Sequence, residues 1–157
     1  RMQRTLGLTE GPLHAEARIG PAGVCVLELA ARTIGGLCAR ALRFGTGMSL
    51  EELVVRHALG YDIVDVERER PAAGVMMVPI PRSGVLVGVG GVERARAVAG
   101  IVGVEMSIRP GRAVQALPEG DRYLGFLFAR GDAPAEVEAA LRLAHSCLDV
   151  VIEPVGA

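Results

Sequence analysis

Residues 13–19 alternate strictly. Leu13, Ala15, Ala17 and Ile19 are apolar, and His14, Glu16 and Arg18 are polar. A period of two marks a strand with one wet face. Gly20-Pro21-Ala22-Gly23 carries turn chemistry, and Val24 to Arg32 reads as the returning strand. Strict alternation puts Cys25, Leu27, Leu29 and Ala31 on one face of that strand, and Val24, Val26, Glu28, Ala30 and Arg32 on the other. Ser49 to Leu59 has helical spacing. Ser49 and Glu52 match a capping box, in which each side chain caps a backbone N–H of the first turn, and Gly60 suits the position just past the last turn.

The charged stretch Asp62 to Arg70, closed by Pro71, divides the chain into residues 1–70 and 71–157 and reads as a solvated helix end or linker. Beyond it, Gly74 to Ile80 is an apolar run too short for a helix. Pro81-Arg82-Ser83-Gly84 predicts a hairpin turn with Val85 to Val89 returning. Gly91 to Val98 has a short helical pattern. Gly103 to Arg109, Ala113 to Ala116 and Tyr123 to Ala129 read as strands. Asp132 to Leu148 is the strongest helix: Asp132 can cap it, Pro134 suits its first turn, and Val137, Leu141 and Ala144 share a face. Val150 to Glu153 predicts a last strand. The mixture is an α+β pattern, with no internal repeat and no low-complexity tract.

Composition narrows the chemistry. Half of the residues are apolar, enough for a sizeable core. Aromatic residues are only 3%, without Trp, which excludes the stacking surface of a single-stranded nucleic-acid binder. A formal charge of −1 argues against a nucleic-acid or anionic-membrane footprint. All 17 basic residues are Arg, so a Lys Schiff base or a Lys-bearing phosphate loop cannot come from this chain alone. Cys25, Cys38 and Cys147 form no CxxC pair, and three widely spaced cysteines fit a reduced, cytoplasmic compartment. No apolar run approaches the ~20 residues of a membrane span, and no signal-peptide pattern opens the chain. It starts at Arg1 rather than Met and reads as the C-terminal portion of something longer.

The informative pair is Glu16 and Glu28. A three-residue turn at Pro21-Ala22-Gly23 sets Glu16 opposite Glu28 and His14 opposite Ala30. Carboxylates so placed, ~4.5–5.5 Å apart at Cβ, repel unless compensated. A divalent cation removes that conflict, and Mg²⁺ takes one or two carboxylates plus substrate phosphates. On the same face, Arg32 supplies a permanent cation suited to a carboxylate or phosphoryl oxygen. Gly35-Gly36 then allows backbone to approach a ligand closely. The same residues are also compatible with a solvated strand face carrying an ordinary ion pair between Glu28 and Arg32. Arg40 and Arg43 lie near enough in sequence to be substrate contacts. His57 and His145 read as structural, Cys38 as a buried thiol, and Gly88-Val89-Gly90-Gly91 as a turn, since it lacks a phosphate-loop frame.

Gly11-Pro12-Leu13-His14-Ala15-Glu16, followed by Leu27-Glu28-Leu29-Ala30-Ala31-Arg32-Thr33-Ile34-Gly35-Gly36, resembles the metal-binding end of ATP-grasp enzymes. The closest flavour is the carboxylate–amine ligases of the L-amino-acid ligase kind, related to biotin carboxylase. The likeness continues through Leu37 to Phe44 and the Ser49 helix. From Gly74-Val75-Met76-Met77 to Tyr123 through Gly131, the chain looks like the C-terminal domain of the same ligases. The resemblance implies that residues 1–70 end an ATP-grasp catalytic lobe of antiparallel strands and helices, and that 71–157 form a small α+β C-terminal domain. It implies that Glu16 and Glu28 hold Mg²⁺ (or Mn²⁺) on the phosphates of ATP, and that Arg32 stabilises the acyl phosphate or the acceptor. His14, Gly35 and Gly36 fall close to substrate or phosphate. Many relatives carry Asn two residues after the second Glu; Ala30 stands there, so a third oxygen ligand is missing or supplied otherwise.

The expected partners are an N-terminal ATP-grasp lobe with its lysines, and small-molecule carboxylate and amine substrates, with no nucleic acid and no membrane. The ATP pocket is incomplete in this chain, so the chain alone is expected to be inactive. One rival reading is a non-catalytic small-molecule-binding or oligomerisation module, self-pairing to a homodimer through an exposed strand edge. Another is a biotin carboxylase-like subunit, which Ala30 disfavours.

Overall fold

The computed structural model describes residues 7–154; Arg1, on which the reading of an internal start rests, lies outside them. The chain forms two compact units, Arg1–Glu69 and Arg70–Ala157. The first opens with an antiparallel hairpin, β1 (His14–Gly20) and β2 (Gly23–Ala30). Its turn differs from the expected one. Gly20 pairs with Gly23, leaving a two-residue turn, Pro21-Ala22, and Leu27 is an unpaired bulge residue between Val26↔Ala17 and Glu28↔Glu16. Gly23 has φ +106, a left-handed backbone that suits glycine.

The bulge also corrects the expected faces. Paired residues share a face, so Val24, Val26 and Leu29 join Ala15, Ala17 and Ile19, while Cys25, Glu28 and Ala30 join His14, Glu16 and Arg18. Without the bulge, the apolar residues at 24, 26 and 29 could not share one side. Nearly all of the hairpin is exposed, including Ile19 at 81% and Val24 at 68%.

A 3-10 turn at Cys38–Ala41 follows, then α1 (Leu50–Ala58). The Ser49 hydroxyl accepts the Glu52 N–H at 3.1 Å, and Gly60, φ +78, sits just past the helix. Glu52 does not complete a capping box with Ser49; its carboxylate accepts from Arg56 one turn on, at 2.8 and 3.0 Å. The 62–70 stretch is no helix end: Phe44 bridges to Arg68, and the Gly45 and Glu69 N–H groups donate to the Glu67 and Arg43 carbonyls.

The second unit holds two three-stranded antiparallel sheets. One has the order β3 (Ala72–Val78), β7 (Gly125–Gly131), β5 (Ile101–Met106); the other β6 (Ala113–Val114), β4 (Gly84–Gly90), β8 (Asp149–Glu153). The expected β3–β4 hairpin is therefore absent: the two strands belong to different sheets. Pro79 and Pro81 lack N–H groups and cannot extend the β3 ladder. The chain turns a corner instead, with Ile80 buried and the Arg82 guanidinium donating to the Ile152 carbonyl of β8. Gly88 and Gly90, expected in a turn, lie inside β4, and Gly91 caps α2 (Val92–Arg96) with φ +75.

The core is built on β7, where Gly125 through Ala129 are all buried, against α3 (Pro134–Ser146). Val137, Leu141 and Ala144 are buried as their spacing predicts, together with Ala140. Asp132 does not cap α3. Ala133 is the N-cap residue, and the Glu136 carboxylate accepts the Asp132 and Ala133 N–H groups at 3.2 and 3.4 Å. Glycine is needed at both ends of β4. A Cβ on Gly84 would sit 2.2 Å from the Glu153 carbonyl oxygen, and one on Gly91 1.8 Å from that of Cys147. Among the described residues no helix is long and apolar enough to cross a membrane, and all three cysteines are free.

Leu127 is fully buried at the centre of this core, so Leu127→Ala should lower the unfolding free energy by about 2–5 kcal/mol. Val24→Ala, on the exposed hairpin, should change it by less than about 0.5 kcal/mol. Urea midpoints of the two variants provide the measurement.

Candidate functional site

The hairpin brings two of the expected site residues together directly. Glu16 pairs with Glu28, and one step along, His14 pairs with Ala30. The four share the polar face, opposite the apolar one. Each carboxylate has its own counter-charge or donor. His14 Nε2 lies 3.1 Å from Glu16 Oε1, and Arg32 Nη2 lies 3.3 Å from Glu28 Oε1. Directly opposed carboxylates are unfavourable when uncompensated; here each has a polar partner of its own. His14 is the most enclosed member, with 17% of its side chain exposed, against 53% for Glu16.

Arg32 reaches Glu28 by a different route from the one expected. It does not extend β2. Its N–H donates to the Ala30 carbonyl at 2.9 Å, turning the chain, and its side chain folds back to Glu28. Arg32 Nη1 also donates to the Thr33 carbonyl at 3.0 Å, which holds the guanidinium plane. Gly35 is exposed, and a Cβ there would lie 3.9 Å from Arg32 Nη1; Gly36 is exposed with φ +62. Backbone is thus bare beside the guanidinium. Cys38 is half-buried rather than enclosed. Arg43 donates to the Arg40 and Leu42 carbonyls at 3.3 and 2.9 Å, so its guanidinium braces the 3-10 turn. His57 and His145 lie half-buried on α1 and α3.

Among the described residues no group of three or more His, Cys, Asp or Glu is placed to hold a metal ion. The donor set on the hairpin face is two carboxylates. That is a hard-oxygen set suited to Mg²⁺, which keeps water or substrate oxygens in its remaining positions. It is not a closed site of the structural zinc kind.

Residues 76–153 match the family model described as L-amino acid ligase C-terminal domain 2. The chain resembles a solved structure, L-amino acid ligase from Bacillus licheniformis, at 25% identity and a TM-score of 0.79, covering 96% of this chain and 38% of that one. Family model and structure together support a likeness to the C-terminal portion of ATP-grasp ligases. Phosphoribosylglycinamide synthetase from Anaerococcus prevotii has the same fold, at 12% identity and a TM-score of 0.74, with 96% of this chain and 39% of that one covered. So does N5-carboxyaminoimidazole ribonucleotide synthetase from Thermotoga maritima, at 18% identity and 0.60, with 90% and 37% covered. A further relative, the Uncharacterized protein y4rH of Sinorhizobium fredii, is 24% identical over 154 residues, 98% of this chain and 32% of its own length. The chain thus spans about a third of the relatives that it matches. The expected α+β class and the ATP-grasp likeness both hold.

The Glu28–Arg32 pair is about half exposed on both sides, and such pairs contribute ~0–1 kcal/mol. Arg32→Gln should therefore leave the thermal midpoint of the chain within about 2 °C of the parent. A large loss of stability would give Arg32 a structural role instead.

Proposed function

We propose that the chain works as the C-terminal part of an ATP-dependent ligase that joins a carboxylate to an amine. The observation that carries this reading is the direct opposition of Glu16 and Glu28 with Arg32 beside them, and the likeness to L-amino acid ligase supports it. Residues 1–70 then close the catalytic lobe, and residues 71–157 form the domain that follows it. The reaction has two steps. A carboxylate oxygen of the substrate attacks the terminal phosphorus of ATP and ADP departs, leaving an acyl phosphate. The amine nitrogen then attacks the acyl carbon, phosphate leaves, and the nitrogen gives up a proton to form the amide.

Within this scheme Glu16 and Glu28 hold Mg²⁺ or Mn²⁺. Held there, such an ion would supply positive charge to offset that of the phosphoryl group. The guanidinium fork of Arg32 matches an anionic carboxyl or phosphoryl oxygen. The Thr33 carbonyl and Glu28 keep that fork oriented, so little ordering is needed when the anion arrives. His14 orients the Glu16 carboxylate, and Gly35 and Gly36 leave room for substrate against the backbone. His14 also faces Ala30, the position at which a third oxygen ligand is missing or supplied otherwise. The nucleotide-clamping lysines come from an N-terminal lobe, since this chain has none. The cytoplasm is the natural compartment for such a reaction.

The test uses the full-length protein that carries this chain, following ADP release over pairs of carboxylate and amine substrates with Mg²⁺. Glu28→Gln should lower kcat by on the order of a hundredfold with an unchanged thermal midpoint; near-parental turnover removes Glu28 from the metal role. The 157-residue chain alone should release no ADP from ATP. Turnover by the chain alone would contradict the need for a second lobe.

A further inference from the structure

The second unit contains a cleft of about 960 Å³ that no part of the ligase reading uses. The range for small-molecule sites is ~300–1,000 Å³. Its charged lining is Arg109, Arg112, Arg122 and Asp121, with the hydroxyls of Ser83 and Ser107 beside them. The residues alone suggest only a hairpin tip at Ser83 and strand with connection over 107–112.

The charges do not balance. Arg122 is taken: its Nε donates to Asp121 at 3.1 Å. The hydrogen bond and charge of Arg122 hold the Asp121 carboxyl below the usual carboxylate range, so it stays ionised and cancels Arg122. Arg109 and Arg112 have no hydrogen-bonding or ionic side-chain partner among the described residues. Two like charges three residues apart on one turn, without a counter-charge, favour an anion in the space between them.

The turn is rigid. Pro110-Gly111 fits its two central positions, with Gly111 at φ +81, as a type II turn requires. The Gly111 N–H donates to the Leu86 carbonyl at 2.7 Å, and the Leu86 N–H donates to the Arg112 carbonyl at 3.0 Å. Both bonds pin the turn to β4, and the Ser107 N–H fixes its approach by donating to the Leu124 carbonyl at 2.9 Å. The Ser83 hydroxyl accepts the Ala116 N–H at 3.0 Å, which leaves its own hydrogen to donate. Ile108 and Val114, nearly buried at 9% and 6% exposure, form an apolar floor.

We propose that this cleft binds a small organic molecule carrying at least two anionic oxygens, a phosphate ester or a polycarboxylate, with Arg109 and Arg112 as its ligands. Guanidinium forks grip such groups bidentately, and the floor packs the body of the molecule. The site depends on the second unit alone and stands or falls separately from the metal role of Glu16 and Glu28.

Calorimetric titration of the chain at low salt with pyrophosphate and with citrate tests it. At least one should bind with a Kd below about 1 mM, and binding should weaken on adding ~0.3 M NaCl. Pyrophosphate alone assigns a phosphate ester, citrate alone a polycarboxylate, and both together an unselective anion site of the proposed kind. Arg109→Gln/Arg112→Gln should weaken binding at least about tenfold at an unchanged urea midpoint. Arg142→Gln, which breaks an ion pair with Glu138 on α3, should not. The proposal is overturned if neither anion binds below about 1 mM, or if Arg142→Gln weakens binding as much as the double variant.

Discussion

One unpaired residue governs the hairpin. With Leu27 set outside the ladder, three apolar side chains of β2 and three of β1 gather on one face, and His14, Glu16 and Glu28 on the other. A bulge costs local pairing and bends its strand. Here it converts a sequence without clean alternation into a two-faced ribbon. Moving it by one residue would carry either the acids or the valines to the wrong side. The spatial relation of Glu16 to Glu28 therefore depends on backbone geometry a residue away, and so does all the chemistry argued for them.

The second unit is governed by another backbone constraint. Pro79 and Pro81 deny β3 the donors it would need to continue, so the chain leaves one sheet and enters the other. That crossing places β4 between β6 and β8, and the carbonyl and N–H of Leu86 come to hold the turn that carries Arg109 and Arg112. The arginine cleft is a by-product of a proline corner. Its walls come from residues 83 to 122, a span within which no short motif exists to be noticed.

Much of the architecture is legible from the residues, and the exceptions share a cause. Helix α3 is plain from Pro134 and the spacing of Val137, Leu141 and Ala144, because burial of one helical face leaves a period that survives in sequence. Ser49 marks its helix by a different signal, a hydroxyl that caps the first turn. The opposition of Glu16 and Glu28 is legible although the turn is not: a three-residue turn, and a two-residue turn followed by a bulge, bring the same two residues face to face. What the residues conceal is choice among partners. Pro81-Arg82-Ser83-Gly84 has the chemistry of a hairpin and of a corner alike, and only the location of β7 and β8 decides between them. Asp132 and Glu136 both suit a helix start, and the longer side chain reaches back over Ala133. The arginines of the cleft look like any exposed basic residues until the absence of a facing carboxylate is seen in three dimensions.

The glycines at the two ends of β4 have a consequence for how this unit can diverge. Gly84 lies against the Glu153 carbonyl and Gly91 against that of Cys147, so the β4–β8 ribbon is closed at both ends by backbone touching backbone. No side chain fits in either gap, and evolution has little to vary there. Variation is left to the segment between β5 and β7, whose exposed residues bear few packing obligations. Substitution in this unit is therefore least costly in that one stretch, while backbone packing holds the frame around it.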